Sequence, residues 1–406
     1  MIKIIDKNGF LSFVKNRGLK FDGEQAVAVE EIIRRVRLEG DKALNFYIAK
    51  FDKANRQSIE ITAEEIDEAL KSVDAYFLET LKIAKENIAF FHEKQLNEGF
   101  RIEKEGGVVL GQRYTPIEKV GIYVPGGTAA YPSTVLMNAV PARIAGVREI
   151  LMTTPPSADG KIKPEILAAA RIAGVDRVFA VGGAQAIAAM AYGTESVPKV
   201  YKIVGPGNVY VALAKRAVSG VVGIDMIAGP SEILIIADGK ANPAYIAADL
   251  LSQAEHDKMA SSILITASRE LAESVQAEVE KQLEALPRKE IARESADVNS
   301  AIIIAADIDE CVEFSNEIAP EHLELCVEDY FGLFDKIKNA GSVFLGSFTP
   351  EPLGDYIAGP NHTLPTSGNA MFSSPLSVDD FRKKTSFLLY SKEELAKISG
   401  RTMDFA

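Results

Sequence analysis

Cysteine is scarce in this chain of 406 residues, with Cys311 and Cys326 the only two. Two thiols cannot build a disulfide framework or a thiolate metal cage, so they read as reduced packing residues of a cytoplasmic protein. Basic charge is also in deficit: 45 Lys and Arg stand against 57 Asp and Glu, a net charge of −12. That balance excludes nucleic acid and anionic membranes as partners, because a phosphate-rich surface demands a basic face. No apolar run approaches the ~20 residues of a membrane helix. The opening Met1-Ile2-Lys3-Ile4-Ile5-Asp6-Lys7 breaks its apolar residues with charge before a signal-peptide core can form. Neither Gly-x-Gly-x-x-Gly nor Gly-x-x-x-x-Gly-Lys-Ser/Thr occurs, so a standard dinucleotide fingerprint and a P-loop are both absent. What remains is a globular protein of small-molecule chemistry, long enough for two or three domains.

The first hundred residues read as helices. Val27, Ile32, Ile33 and Val36 recur at helical spacing, Gly40-Asp41 stops that helix and caps the next, and Thr62 with Glu65 forms a capping-box pattern. From Lys119 the texture changes to alternating strands and helices. Apolar strands at 120–124, 149–153, 177–181 and 200–204 run into glycine turns, of which Gly182-Gly183 and Gly205-Pro206-Gly207 each open a helix. A second alternating series runs from Gly229-Pro230-Ser231-Glu232 to Phe348, and residues 351–377 are dense in Pro, Gly and Ser. This order predicts parallel sheets whose turns at the strands' carboxyl ends hold ligands.

Four stretches can carry chemistry. Asn242 and Pro243 start a helix that ends at Gln253 and His256, three apart on one face, where an amide oxygen and an imidazole nitrogen can meet one cation. Helix-end capping with a satisfied surface histidine gives the same pattern. Glu321 and His322 enter a strand as adjacent acid and base, placed for two proton transfers if extended, or as an ordinary turn. The glycine turns serve either nucleotide contact through bare helix-end amides or simple turn-making. Three of the four histidines, His256, His322 and His362, fall in the second series or just after it, whereas His92 reads as a surface or packing residue. A Gln, His and Asp ligand set would suit zinc or manganese over copper.

Together these motifs resemble the histidinol dehydrogenase family. The resemblance rests on Val120-Gly121-Ile122-Tyr123-Val124-Pro125-Gly126-Gly127, Val181-Gly182-Gly183-Ala184-Gln185-Ala186, Gly205-Pro206-Gly207-Asn208 and Ala228-Gly229-Pro230-Ser231-Glu232. It continues through Gln253-Ala254-Glu255-His256, Ala319-Pro320-Glu321-His322-Leu323 and Gly354-Asp355-Tyr356 up to Asn361-His362-Thr363-Leu364-Pro365-Thr366. All occur in the family's order, over residues from about 20 to 390.

The resemblance implies an α/β fold of two incomplete Rossmann-like parallel-sheet domains with a helical N-terminal region and a short C-terminal tail. Residues 1–120 would pack with 233–375 as the zinc and catalytic side, 121–232 would form the NAD side, and 376–406 a truncated tail. It implies a homodimer with one zinc per subunit that oxidises L-histidinol to L-histidine with two NAD, the last step of histidine biosynthesis. Gln253, His256 and Asp355 would be zinc ligands that thereby touch substrate, with Ser231, His322 and His362 as further substrate contacts. Tyr123, Gln185 and Asn208 would line the NAD site. His322 would take the alcohol proton, and Glu321 would activate the water that attacks the aldehyde. A neutral ligand such as Gln253 leaves the site more positive than a carboxylate would, which helps keep the substrate amine unprotonated. The family's helical tail adds a Glu and a His to the partner subunit's site. Here no histidine follows His362, which leaves a truncated chain, a natural paralogue or an inactive homologue as expectations. Oxidation of another small amino-alcohol or diol, and a non-catalytic binding role, are the competing functions.

Overall fold

A computed structural model describes residues 1–16, 23–126 and 130–406. Gly127, which ends the first glycine motif, lies outside them. Two all-parallel sheets organise the chain. The five-stranded sheet runs Arg177–Ala180, Glu149–Thr154, Lys119–Tyr123, Lys202–Val204, Gly223–Ile224, and the six-stranded sheet runs Lys3–Ile5, Ala301–Ile304, Ser261–Thr266, Glu232–Ala237, His322–Cys326, Ser342–Leu345. Both are largely apolar on both faces, as sheets covered by crossover helices are. The α/β fold expected from the sequence is therefore the observed one.

The N-terminal region departs from its expected partner. Among its described residues only strand Lys3–Ile5 and helix Lys7–Asn16 join the six-stranded sheet, with Ile2 and Phe10 packed against its opposite faces. Helices Gly23–Glu39, Asp41–Tyr47, Ala63–Ser72 and Ala75–Glu93 pack instead with residues 121–232, in two clusters on either side of the five-stranded sheet. The reason lies in the crossover helices there. Pro164–Ala173 and Gly183–Tyr192 are so rich in Ala and Ile that nearly every side is buried, and a helix apolar all round needs an outer layer as well as a sheet beneath it.

Local signals are realised closely. Thr62 Oγ1 accepts the Glu65 N–H at 3.2 Å while Glu65 returns a carboxylate to the Thr62 N–H at 2.9 Å, completing the capping box. Helix Gly23–Glu39 buries Ile32, Ile33 and Val36 as expected, but Val29 takes the inward place foreseen for Val27, which is exposed. Gly40 stops that helix at φ +54°, where a Cβ would lie 2.2 Å from the Glu195 carboxylate.

A third sheet has no counterpart in the sequence reading. Phe100–Lys104, Val108–Pro116 and Arg382–Leu389 pair antiparallel, from Arg382 opposite Pro116 to Leu389 opposite Val109. Residues 376–406 are thus more than a tail: a strand and the helix Lys392–Phe405 stand on this arm. Cys311 and Cys326 are buried and free. Among the described residues no helix is long and apolar enough to cross a membrane.

Candidate active site

The catalytic candidates gather at the amino ends of strands in the six-stranded sheet. Helix Ile308–Ile318 closes on Ala319 at φ +50°, and Pro320 turns the chain into strand His322–Cys326. Glu321 and His322 do not diverge there. Both engage the backbone of Glu232 on the neighbouring strand: Glu321 Oε2 accepts its N–H at 2.8 Å, and His322 Nδ1 lies 2.9 Å from its carbonyl oxygen. A carbonyl only accepts, so Nδ1 carries the hydrogen and Nε2 is the free nitrogen. Nε2 points 3.3 Å from Asp355 Oδ1 and 4.0 Å from Glu351 Oε1, with no hydrogen-bond donor of its own to accept from.

Asp355 sits in the π-helical turn Gly354–Ala358, a wide turn of the kind that aims side chains at functional sites. Its Oδ2 lies 3.8 Å from His362 Nδ1. The segment behind it is clamped from the other half of the molecule, since Asn87 donates to the Ile357 carbonyl at 2.8 Å and Asn361 to the Met137 carbonyl at 2.6 Å. His92 is a buried packing residue in this clamp, bonded to Gln95 at 2.7 Å. Ser231 precedes strand Glu232–Ala237, and its loop is tied to the His362 segment by Gly229 N–H donating to Thr366 Oγ1 at 2.6 Å.

Asn242 caps helix Pro243–Ala254 by accepting the Ala244 N–H at 2.9 Å. The helix ends two residues before His256, but His256 N–H bonds back to the Gln253 carbonyl at 3.2 Å, which keeps the two residues on one side. Gln253 is buried, and its Oε1 has no partner within the protein. His256 keeps solvent access, yet crowding by protein lowers its pKa even though Asp355 and Glu255 oppose the shift.

The electrostatics are those of a buried site with surplus carboxylate. Burial alone would disfavour charge on His322, but Glu321, Asp355 and Glu351 outweigh it and hold its pKa well above the ordinary range. Burial pushes Glu321 and Glu351 up to about 8, against the pull of His322. Asp355 is lowered, because His322 and His362 overcome its burial. A divalent cation meets the same surplus, and Gln253 contributes a buried amide oxygen without a partner; amide oxygen, imidazole and carboxylate together are a donor set zinc accepts. The residues therefore fit a metal. Asp355 is common to two groupings: the expected Gln253, His256 and Asp355, and the tight trio of His322, Glu351 and Asp355, whose ligand atoms lie within 4.8 Å of one another.

The nucleotide candidates lie at the carboxyl ends of the five-stranded sheet. Tyr123 ends strand Lys119–Tyr123, and its hydroxyl accepts the Gly183 N–H at 3.1 Å, joining two glycine turns. Gln185 is buried in the first turn of helix Gly183–Tyr192. Asn208 caps helix Val209–Val218 through the Tyr210 and Val211 N–H groups, so its Oδ1 is already engaged and its amide is the free end. These three share one sheet edge, apart from the His322, Glu351 and Asp355 cluster.

Sequence reasoning passed over Glu351, Glu324 and Asp249. Glu324 had a readable signal, since it is an acid at an alternating position of the buried strand His322–Cys326.

The sequence model of the histidinol dehydrogenase family matches residues 16–406. A histidinol dehydrogenase of Clostridium acetobutylicum is 55% identical over 402 residues, covering 99% of this chain and 93% of the relative. One from Bacillus cereus is 57% identical over 379 residues, covering 93% and 88%. The crystal structure of histidinol dehydrogenase from Elizabethkingia anophelis superposes with a TM-score of 0.95 at 41% identity, covering all of this chain and 94% of that one.

Proposed function

The chain belongs to the histidinol dehydrogenase family, and from that membership we infer that it catalyses the NAD-dependent oxidation of L-histidinol to L-histidine at the cluster around His322. The observation that carries the assignment to this cluster is the His322 ring itself: one nitrogen is fixed on the Glu232 carbonyl and the other is free beside Asp355. Gln253, His256 and Asp355 would hold zinc, and Tyr123, Gln185 and Asn208 would line the NAD crevice. When bound, zinc supplies an orienting Lewis acid for the substrate's amino and imidazole nitrogens, and NAD supplies the hydride acceptor for both oxidations.

The protein's own groups handle protons and position. With Nδ1–H held on Glu232, His322 Nε2 takes the hydroxyl proton of histidinol as the first hydride departs, giving the aldehyde. Glu321 then draws a proton from a water, and the water oxygen attacks the aldehyde carbon. His322, its proton released to solvent, takes the hydroxyl proton of the resulting hydrate anion as the second hydride leaves, which gives the carboxylate. One water is consumed and two hydrides leave per histidine formed. Ser231 and His362 flank the substrate, and the clamp from Asn87 and Met137 keeps Asp355 in place.

Two copies of the chain form the working unit, and free, buried Cys311 and Cys326 suit the cytoplasm. The test is NADH formation with L-histidinol and added zinc, alongside metal analysis. Two NADH per histidinol and about one zinc per chain are expected. NADH from simple diols but none from histidinol would overturn the substrate assignment.

A further inference from the structure

Asp249 lies one helical turn before Gln253 on helix Pro243–Ala254, so the two project from the same side. Glu324 lies two residues after His322 on strand His322–Cys326 and shares its face. The two carboxyls lie side by side in the gap between helix and strand, where both line one crevice. Glu324 Oε1 also accepts the Glu351 N–H at 2.9 Å, at the start of the segment that carries Asp355. Its Oε2 meets no N–H or O–H donor of fixed position, which leaves it for a proton on Asp249. Glu324 is only 1% exposed. The crevice beside the pair, lined by Tyr245, Ile246, Cys326, Thr349 and Pro350, offers about 10 Å³, room for one water at most. Two carboxylates in such a place cannot both ionise. Burial, with the partner carboxyl beside it, pushes Glu324 well above its ordinary range, and burial lifts Asp249 to about 6.

We propose that Asp249 and Glu324 are a proton-sharing positioning pair, a junction that fixes the Gln253 helix, the His322 strand and the Glu351–Asp355 segment relative to one another. The inference rests on the active centre proposed above. Neither carboxyl touches substrate; both act through the groups they hold. The pair sets the distance between the Gln253 oxygen and the Asp355 carboxylate, which come from segments about a hundred residues apart in sequence and share no direct hydrogen bond.

The experiment compares isosteric replacements in the full chain. Asp249→Leu keeps the γ-branched shape and removes the shared proton. Asp249→Asn and Glu324→Gln each keep a donor facing a carboxylate. Zinc affinity by chelator competition and kcat and KM with L-histidinol are read together with the carboxylic-acid C=O infrared band. Asp249→Leu is expected to weaken zinc binding and lower kcat by about 10- to 100-fold, with the KM for NAD unmoved, the size typical of groups that orient metal ligands. The two amide variants should return both quantities to within about threefold, and Asp249→Asn should lose one carboxylic-acid band as Glu324 becomes the lone ionised partner. Wild-type zinc affinity and turnover in Asp249→Leu, or equal damage from Asn and Leu, would overturn the proposal. If Asp249→Leu fails to fold, Glu324→Met against Glu324→Gln reads the same junction from the strand side. Should the unaltered chain bind no zinc and form no NADH, the active-centre reading fails, and the infrared band alone decides the pair: its loss in Asp249→Asn supports a shared proton and its persistence refutes one.

Discussion

At His322 burial and charge pull against each other, and charge wins. Three carboxyl groups lie around its ring, so the imidazolium is favoured until a substrate or cation takes over part of that field. Glu321 has the opposite imbalance, its carboxyl lifted to about 8 chiefly by burial. A base works when unprotonated, and a raised pKa means that this form is gained as pH rises. Aldehyde oxidation should therefore accelerate with pH through about 8. Glu321→Gln should remove that limb and cut the rate with the aldehyde as substrate by about 100-fold or more, while alcohol oxidation falls less. Rates with each substrate across neutral and alkaline pH check this, and an unchanged profile for the aldehyde sinks the role. Glu321-His322 and Gln253 with His256 were legible as candidates, because those residue types are sparse and closely spaced. The company they keep was not. Glu351 is an ordinary acid in sequence, and only the convergence of distant segments brings it beside His322 and Asp355.

Turns at strand ends set the proposed nucleotide side. Gly205 has φ +112°, and a Cβ there would lie 2.1 Å from the Tyr123 carbonyl oxygen. Its N–H is held by Asp225 Oδ2 at 2.8 Å, and its carbonyl by the buried Lys215 Nζ at 3.0 Å, so the turn cannot relax outward without breaking both. Gly205→Ala should cost about 1–3 kcal/mol of stability, the usual range for a backbone forced into such a region. It should also displace Tyr123, raising the KM for NAD while the KM for histidinol stays put. Thermal unfolding and the paired KM values test this; equal shifts in both KM values would deny Tyr123 its NAD role. Elements of this kind are well encoded locally. The Thr62 capping box, the Asn242 cap and the apolar strands were all legible because a few neighbouring residues determine them. The arm of Phe100–Lys104, Val108–Pro116 and Arg382–Leu389 was not, because Arg382-Lys383-Lys384 pairs with a strand far upstream and has no apolar alternation to announce it. The placement of the N-terminal helices likewise follows from crossover helices apolar on all sides, a property of the partner and not of the helices themselves.

For the whole molecule, that arm is the part a single chain leaves unfinished. Successive strand residues face opposite ways, yet Leu388 and Leu389 are 71% and 60% exposed, so neither face of the strand's end is covered. Helix Lys392–Phe405 buries none of its residues, with Leu395 and Met403 open to solvent. Phe100 and Ile102 extend the apolar surface across the sheet. Apolar area of this extent on a projecting element marks an interface, and a second copy of the chain is the occupant that a self-complementary, two-fold contact would supply. The chain should therefore sediment at twice its 43.9 kDa. Leu388→Glu combined with Leu389→Glu places two charges in that contact and should yield monomer at micromolar concentration. It should also lower turnover with L-histidinol by about 10-fold or more, because the arm's strand continues directly from the segment behind His362. Sedimentation and NADH formation on the same sample test both halves of the claim: a double variant that stays dimeric rules out this surface, and an active monomer separates assembly from catalysis.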